Sequence, residues 1–162
     1  MNMHPFVVHF PIALLSMYAL MEFLAMSSLG KKSWWKPTKL SFLFPGILGA
    51  FFGLITGNII SEKIDSVQNL IETHEFFAWI TTWIFGIIAV FYLVDLFDNK
   101  LRLNKYISMV MKIKDFFLNR YFIALLAIIG FVSLMITGAL GGAIVRGPDV
   151  DIFVRIIYDL VM

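Results

Sequence analysis

The sequence predicts an all-α integral membrane protein: a single four-helix bundle over residues 1–162, both termini on the outer face, with short amphipathic helices at the interface. Three observations predict it. Hydrophobic residues make up 60% of the chain and charged residues 15%, against about 45–50% and about 25% in soluble domains. Four mostly apolar segments, 5–28, 40–60, 76–97 and 121–145, have the roughly 17–25 residues that a membrane-spanning helix needs. The lysines and arginines crowd into the first and third loops between them.

The segment 5–28 is preceded by no Lys or Arg and is too long for a signal-peptide core, so a retained first helix is expected. Lys31, Lys32, Lys36 and Lys39 follow it, and Lys100, Arg102, Lys105, Lys112, Lys114 and Arg120 fill the third loop. Together they are ten of the 13 basic residues. Loops rich in Lys and Arg stay cytoplasmic, so the acidic second loop (Glu62, Asp65, Glu72, Glu75) and both termini face outward. Trp34 and Trp35 are expected to anchor the inner interface. Residues 101–119 place Tyr106, Val110, Ile113 and Phe117 on one helical face, suited to lying on the cytoplasmic leaflet. The tail 151–162 sets Ile152, Phe153, Ile156, Ile157, Leu160 and Val161 against Asp151, Arg155 and Asp159, an amphipathic helix for the membrane surface or a partner.

Only Glu22 and Asp95 are charged within the apolar segments. A charge near the bilayer centre costs roughly 2.5–3.5 kcal/mol, so Glu22 is expected to face protein, to snorkel or to be protonated. Asp95 and Asp98 are expected to form salt bridges with the basic loop.

The topology gathers every histidine. His4 and His9 lie at the outer end of the first helix and His74 just before the third. At the same depth run Gly49-x-x-x-Gly53-x-x-x-Gly57, with Gly46 and Thr56 nearby, and Ser133-x-x-x-Thr137-x-x-x-Gly141, with Gly138 and Gly142. Ala78, Thr81 and Thr82 share a face with His74, and Ala13 and Ser16 share one with His9. Small-xxx-small stripes let membrane helices pack closely. They also make room for a flat cofactor, held by side chains from diagonal helices of a bundle. His4 and His9 are about 140° apart on one helix. Pro5 makes His4 a residue flanking the helix, and Pro11 follows His9, the better-aimed inward ligand. Alternatively His9 is a neutral hydrogen-bonded imidazole and His74 a solvated one.

Zinc or copper would draw three or four donors from His4, His9, His74 and Glu72 or Glu75. A b-type haem needs one or two imidazoles and a planar slot, and the glycine stripes favour it. Arg146 would pair with a propionate or simply snorkel. The candidate cofactor residues are therefore His9, His74, His4, Arg146, Gly49, Gly53, Gly57, Thr137 and Gly141. The sequence has no cysteine, hence no disulfide, thiolate metal site or covalent haem motif. No catalytic triad, phosphate loop or nucleic-acid signature is present, so an electron-transfer subunit is expected rather than a stand-alone enzyme.

The stretch His4-Pro5-Phe6-Val7-Val8-His9-Phe10-Pro11-Ile12-Ala13-Leu14-Leu15 resembles the N-terminal signature of a bacterial four-helix membrane family, domain-of-unknown-function family 2231. His74 matches the histidine that opens that family's third helix. Gly138-Ala139-Leu140-Gly141-Gly142-Ala143-Ile144-Val145 matches its G-x-L-G-G-x-x-V motif. The resemblance implies a bacterial membrane protein associated with redox subunits; with the Lys- and Arg-rich loops inside, an inner-membrane protein with periplasmic termini is expected. It also implies that His4, His9 and His74 are the candidate haem ligands. A cofactor-free scaffold of a larger membrane complex and a periplasmic-face metal protein are the rival expectations.

Overall fold

The computed structural model describes residues 4–61, 67–101 and 108–162. Outside the described residues lie Glu62, Lys63, Asp65, Arg102, Lys105 and Tyr106, together with the side chains of His4, Lys100 and Val110. Four long helices, α1 (His4–Leu24), α2 (Trp35–Ser61), α3 (Gln68–Leu101) and α5 (Arg120–Arg146), are each long and apolar enough to cross a membrane. Two short helices, α4 (Ser108–Phe117) and α6 (Ile152–Val161), complete the fold, and no strand occurs among the described residues.

The long helices pack in a ring, α1 on α2, α2 on α3, α3 on α5 and α5 on α1. This leaves α1 diagonal from α3, and α2 diagonal from α5. Midway along the bundle Leu15, Tyr18, Leu43, Phe85, Ile88 and Ala127 form a closed apolar core. The Tyr18 and Phe85 rings meet edge to face with centroids 5.9 Å apart. Close approach here depends on glycine. A Cβ at Gly130 would stand 3.0 Å from the Phe85 ring, and one at Gly46 would stand 2.7 Å from Leu15.

Several boundaries differ from the sequence expectation. His4 is the first residue of α1 rather than a flanking one. Helix α3 begins at Gln68, because Leu70 and Ile71 are already buried against the rest of the bundle. His74 therefore sits inside a helix and half-buried, not before the helix on a solvated edge. At 1.5 Å per residue the 34 residues of α3 extend about 50 Å, past an apolar layer of about 30 Å. Trp34 is exposed as an anchor should be, but Trp35 is buried, its ring centroid 5.3 Å from that of Trp34.

The short helices are docked, not merely adsorbed. In α4, Phe117 stacks on Phe91 with centroids 4.2 Å apart, and buried Lys114 bonds Asp95 and Asp98 of α3 at 3.2 and 3.3 Å. After Arg146 the chain turns through Gly147, whose φ of 88° favours glycine and whose N–H donates to the Ala143 carbonyl. Asp151 then caps α6 by accepting from Val154 N–H at 2.9 Å. The apolar residues of α6 divide into two stripes. Val154, Ile157, Tyr158 and Val161 pack on Leu70, Leu140 and Ala143, while Ile152, Ile156 and Leu160 face outward.

Candidate cofactor cavity at the histidine end

Where α1 begins and α5 ends, the bundle holds a cavity of about 810 Å³. His9, Pro11 and Ile12 line it from α1, and Gly53, Gly57 and Asn58 from α2. His74, Trp79 and Thr81 line it from α3, Thr137, Gly141 and Arg146 from α5, and Val154 from α6. The structure thus brings His9, His74, Gly53, Gly57, Thr137, Gly141 and Arg146 to one space. Gly49 is not among its lining residues. A Cβ there would meet Pro11 at 3.1 Å and Phe10 at 3.3 Å, so Gly49 serves α1–α2 packing.

His74 is the most constrained of these groups. Its Nδ1 lies 2.9 Å from the Thr137 carbonyl oxygen of α5. A carbonyl oxygen only accepts, so Nδ1 carries a proton and donates it to Thr137. Gly141, one turn after Thr137, leaves room for the ring: a Cβ there would stand 3.3 Å from His74 Cε1. Beneath, Thr81 donates to Ser133 Oγ at 3.0 Å and Ser133 donates to the Phe77 carbonyl at 2.9 Å, so both buried hydroxyls are satisfied.

His9 differs from its expected inward aim. It shares an exposed face of α1 with Ala13, Met17 and Leu20, and so lines the cavity from its edge. Ile12, Leu15 and Ala19 belong to the core side instead. Among the described residues no group of three or more His, Asp or Glu side chains is close enough to hold a bare metal ion. Asp151 and Val154 were not legible as lining residues, because only the packing of α6 back onto α5 brings them to the cavity, and Asn58 follows Gly57 on α2 with nothing local to single it out.

The opposite end carries a second, polar site that the sequence reading missed. Glu22, 2% exposed, accepts from Tyr18 at 2.5 Å, from Tyr92 at 2.8 Å and from Lys39 at 2.8 and 2.9 Å through its two oxygens. Lys39 also donates to the Tyr92 hydroxyl at 2.6 Å. Glu22 thus faces protein with an ion-pair partner, and Asp95 pairs with Lys36 and Lys114 as the sequence led one to expect. Tyr18 and Glu22 stand four apart on one face of α1, the one local signal that could have announced the network.

A family model described as "Predicted membrane protein (DUF2231)" matches residues 1–152. The chain belongs to this family. The DUF2231 match contains every residue lining the histidine-end cavity except Val154, so the cavity is built almost wholly from the family's own segment. None of the curated proteins and none of the solved structures matches the chain.

Proposed function

We propose that this DUF2231 protein is a b-type cytochrome-like membrane subunit that holds haem in the histidine-end cavity and passes electrons between redox partners. The observation that carries the reading is the bond from His74 Nδ1–H to the Thr137 carbonyl. Metal-ligating histidines characteristically donate one ring N–H to a carbonyl or carboxylate, which orients the ring and leaves the other nitrogen to bind. His9 supplies a second imidazole to the same cavity, and Arg146 a cation for a propionate.

The residues present fit the group. A volume of about 810 Å³ falls within the roughly 300–1,000 Å³ of small-molecule and cofactor sites. Gly53, Gly57, Gly138 and Gly141 give flat access between α2 and α5, the diagonal pair. Bound haem would supply one-electron chemistry, with its potential set by the axial ligands and by burial. The chain's own part is to fix His74 through Thr137, to cover the site with Trp79 and Ile55, and to close it below with the Phe85–Tyr18 core.

By the distribution of Lys and Arg, the basic end is cytoplasmic and the histidine end and both termini are periplasmic, in a bacterial inner membrane. The partners are then a membrane donor or acceptor and a periplasmic carrier. The deciding experiment is a pyridine haemochrome assay on pure, folded protein from haem-supplied cells, with b-type haem as the expected result and its absence overturning the reading. A second reading, a scaffold subunit without cofactor, is favoured by Gly46, Gly49 and Gly130, which helix packing alone explains. Zinc or copper by elemental analysis without a Soret band would identify a metal protein instead.

A further inference from the structure

Helix α6 carries three stripes along its length. Val154, Ile157, Tyr158 and Val161 form the one that packs on Leu70, Leu140 and Ala143. Ile152, Ile156 and Leu160 form a second and are 79%, 59% and 77% exposed. At 3.6 residues per turn this outward stripe is centred about 150° from the packed one. Exposed Arg155 and Asp159 fill the gap between the two on one side, and Phe153 fills it on the other. Arg155 bonds Asp149 at 2.6 Å and stands 3.8 Å from Asp159, so the one cation of this polar edge is already matched.

The contacts of α6 fix its depth. A Cβ on Gly142 would meet Val154 at 3.5 Å, and the adjacent Gly141 is level with the His74 ring. Gly142 stands four residues before the end of α5 at Arg146, which is about 6 Å back along the axis. The 27 residues of α5 extend about 40 Å, enough to reach into the headgroups on both sides of an apolar layer of about 30 Å. The first turn of α6 therefore lies near the boundary between headgroups and acyl chains, and not above the membrane. At that depth the protein covers one stripe and water takes the polar edge, which leaves lipid as the neighbour of the outward stripe. Exposed Val145 of α5 and Phe76 of α3 continue the same apolar surface at this end.

We propose that α6 is seated in the leaflet at the histidine end, with Ile152, Ile156 and Leu160 among the acyl chains. Val154 and Asp151 line the histidine cavity, so the seated helix is a wall of that cavity whose outer side is lipid. Interfacial helices rich in Lys and Arg draw on anionic lipid. Here docking on α3 and α5 takes that part, and the seating needs no anionic headgroup. The inference concerns the surface of α6 and is independent of what occupies the cavity.

The chain contains no cysteine, so single cysteines on α6 take a nitroxide spin label cleanly. Full-length Ile156→Cys and Leu160→Cys report the outward stripe, and Arg155→Cys and Asp159→Cys the polar edge. Two positions on each keep the comparison readable should one variant fail to fold. Each is reconstituted in phosphatidylcholine vesicles, with and without phosphatidylglycerol. The label's collisions are measured with oxygen, which concentrates among acyl chains, and with a water-soluble nickel chelate. The oxygen-to-nickel ratio at 156 and 160 should be at least twice that at 155 and 159 in both lipid mixtures. Equal ratios at all four positions would overturn the seating. Labels at 156 and 160 shielded from both reagents would also overturn it and assign the stripe to a second copy of the chain. A high ratio seen only with phosphatidylglycerol would overturn the independence from anionic lipid.

Discussion

The two ends of this bundle are built from the same four helices and solve opposite problems. At the basic end, charges within the membrane-spanning helices are tied to each other: Glu22 to Lys39, Tyr18 and Tyr92, and Asp95 to Lys36 and Lys114. At the histidine end, glycines hold the helices' side chains back, and a cavity of about 810 Å³ remains, against one of about 470 Å³ at the basic end. The difference teaches where each end draws its stability. The basic end depends on paired charges in an apolar setting; the histidine end depends on small residues and the His74–Thr137 contact, which leave an open space between the helices.

The comparison breaks most sharply at the histidines. On the haem reading proposed above, replacing His9 and His74 together by Ala should abolish haem absorption while the protein still inserts and purifies, read by the visible spectrum beside the gel-filtration profile. Retention of the full spectrum would remove these residues as ligands. His74→Ala alone should have the larger effect of the two single changes, because the His74 ring is held by a bond to the Thr137 carbonyl of the neighbouring α5.

At the other end, Lys39→Met would strand the Glu22 carboxylate, and losing one partner of a buried pair costs about 3–5 kcal/mol. The expected signature is a large fall in Tm with the haem spectrum unchanged, and a substantial recovery in the Glu22→Gln, Lys39→Met double variant. No recovery in the double variant would mean that packing, and not charge pairing, dominates the site.

Glycine substitutions sharpen the contrast at smaller scale. Gly130→Ala presses a methyl to 3.0 Å from Ile84 and Phe85 in the closed core, and overpacking of this kind costs about 1–3 kcal/mol. Gly141→Ala meets only the His74 ring, at 3.3 Å. It should lower haem retention and barely move Tm, the reverse of Gly130→Ala; equal effects on both readouts would erase the distinction.

The smallest effect concerns pH. Burial lowers the Lys114 ammonium, but bonds to Asp95, Asp98 and Asp115 outweigh it, so its pKa stands above the ordinary value. A raised pKa in the folded state gives stability that is complete below the unfolded value, about 10.4, and lost as pH rises through the folded one. Lys114→Gln should therefore show a constant deficit in Tm from neutral to mildly alkaline pH. That deficit should shrink only above the ordinary lysine range.

Much of the fold was written locally. The four apolar segments and the sparse charges within them determine a membrane helix bundle, because unpaired backbone groups in lipid leave no other economical solution for such runs. The depth shared by His9, His74 and the glycine stripes also followed from counting along the helices, and the common cavity agrees with it. The stripes themselves did not announce their division of labour. Gly46 and Gly49 meet α1, whereas Gly53, Gly57 and Gly141 line the cavity, and identical residue types at equal spacing give no local sign of which neighbour they will face.

What the sequence by itself determined is the class of molecule and the end at which each kind of chemistry gathers, since hydropathy, helix length and charge placement are one-dimensional properties. Only the tertiary structure decided the contacts between helices distant in the chain. It joined Glu22 to Lys39 and Tyr92, and it brought the Thr137 carbonyl to His74 across 63 residues. It also turned His9 to the cavity edge and left the Trp35 N–H without an acceptor. Such pairings depend on the rotation and register of packed helices, and those are set by side-chain interlocking along whole interfaces rather than by any single stretch of sequence.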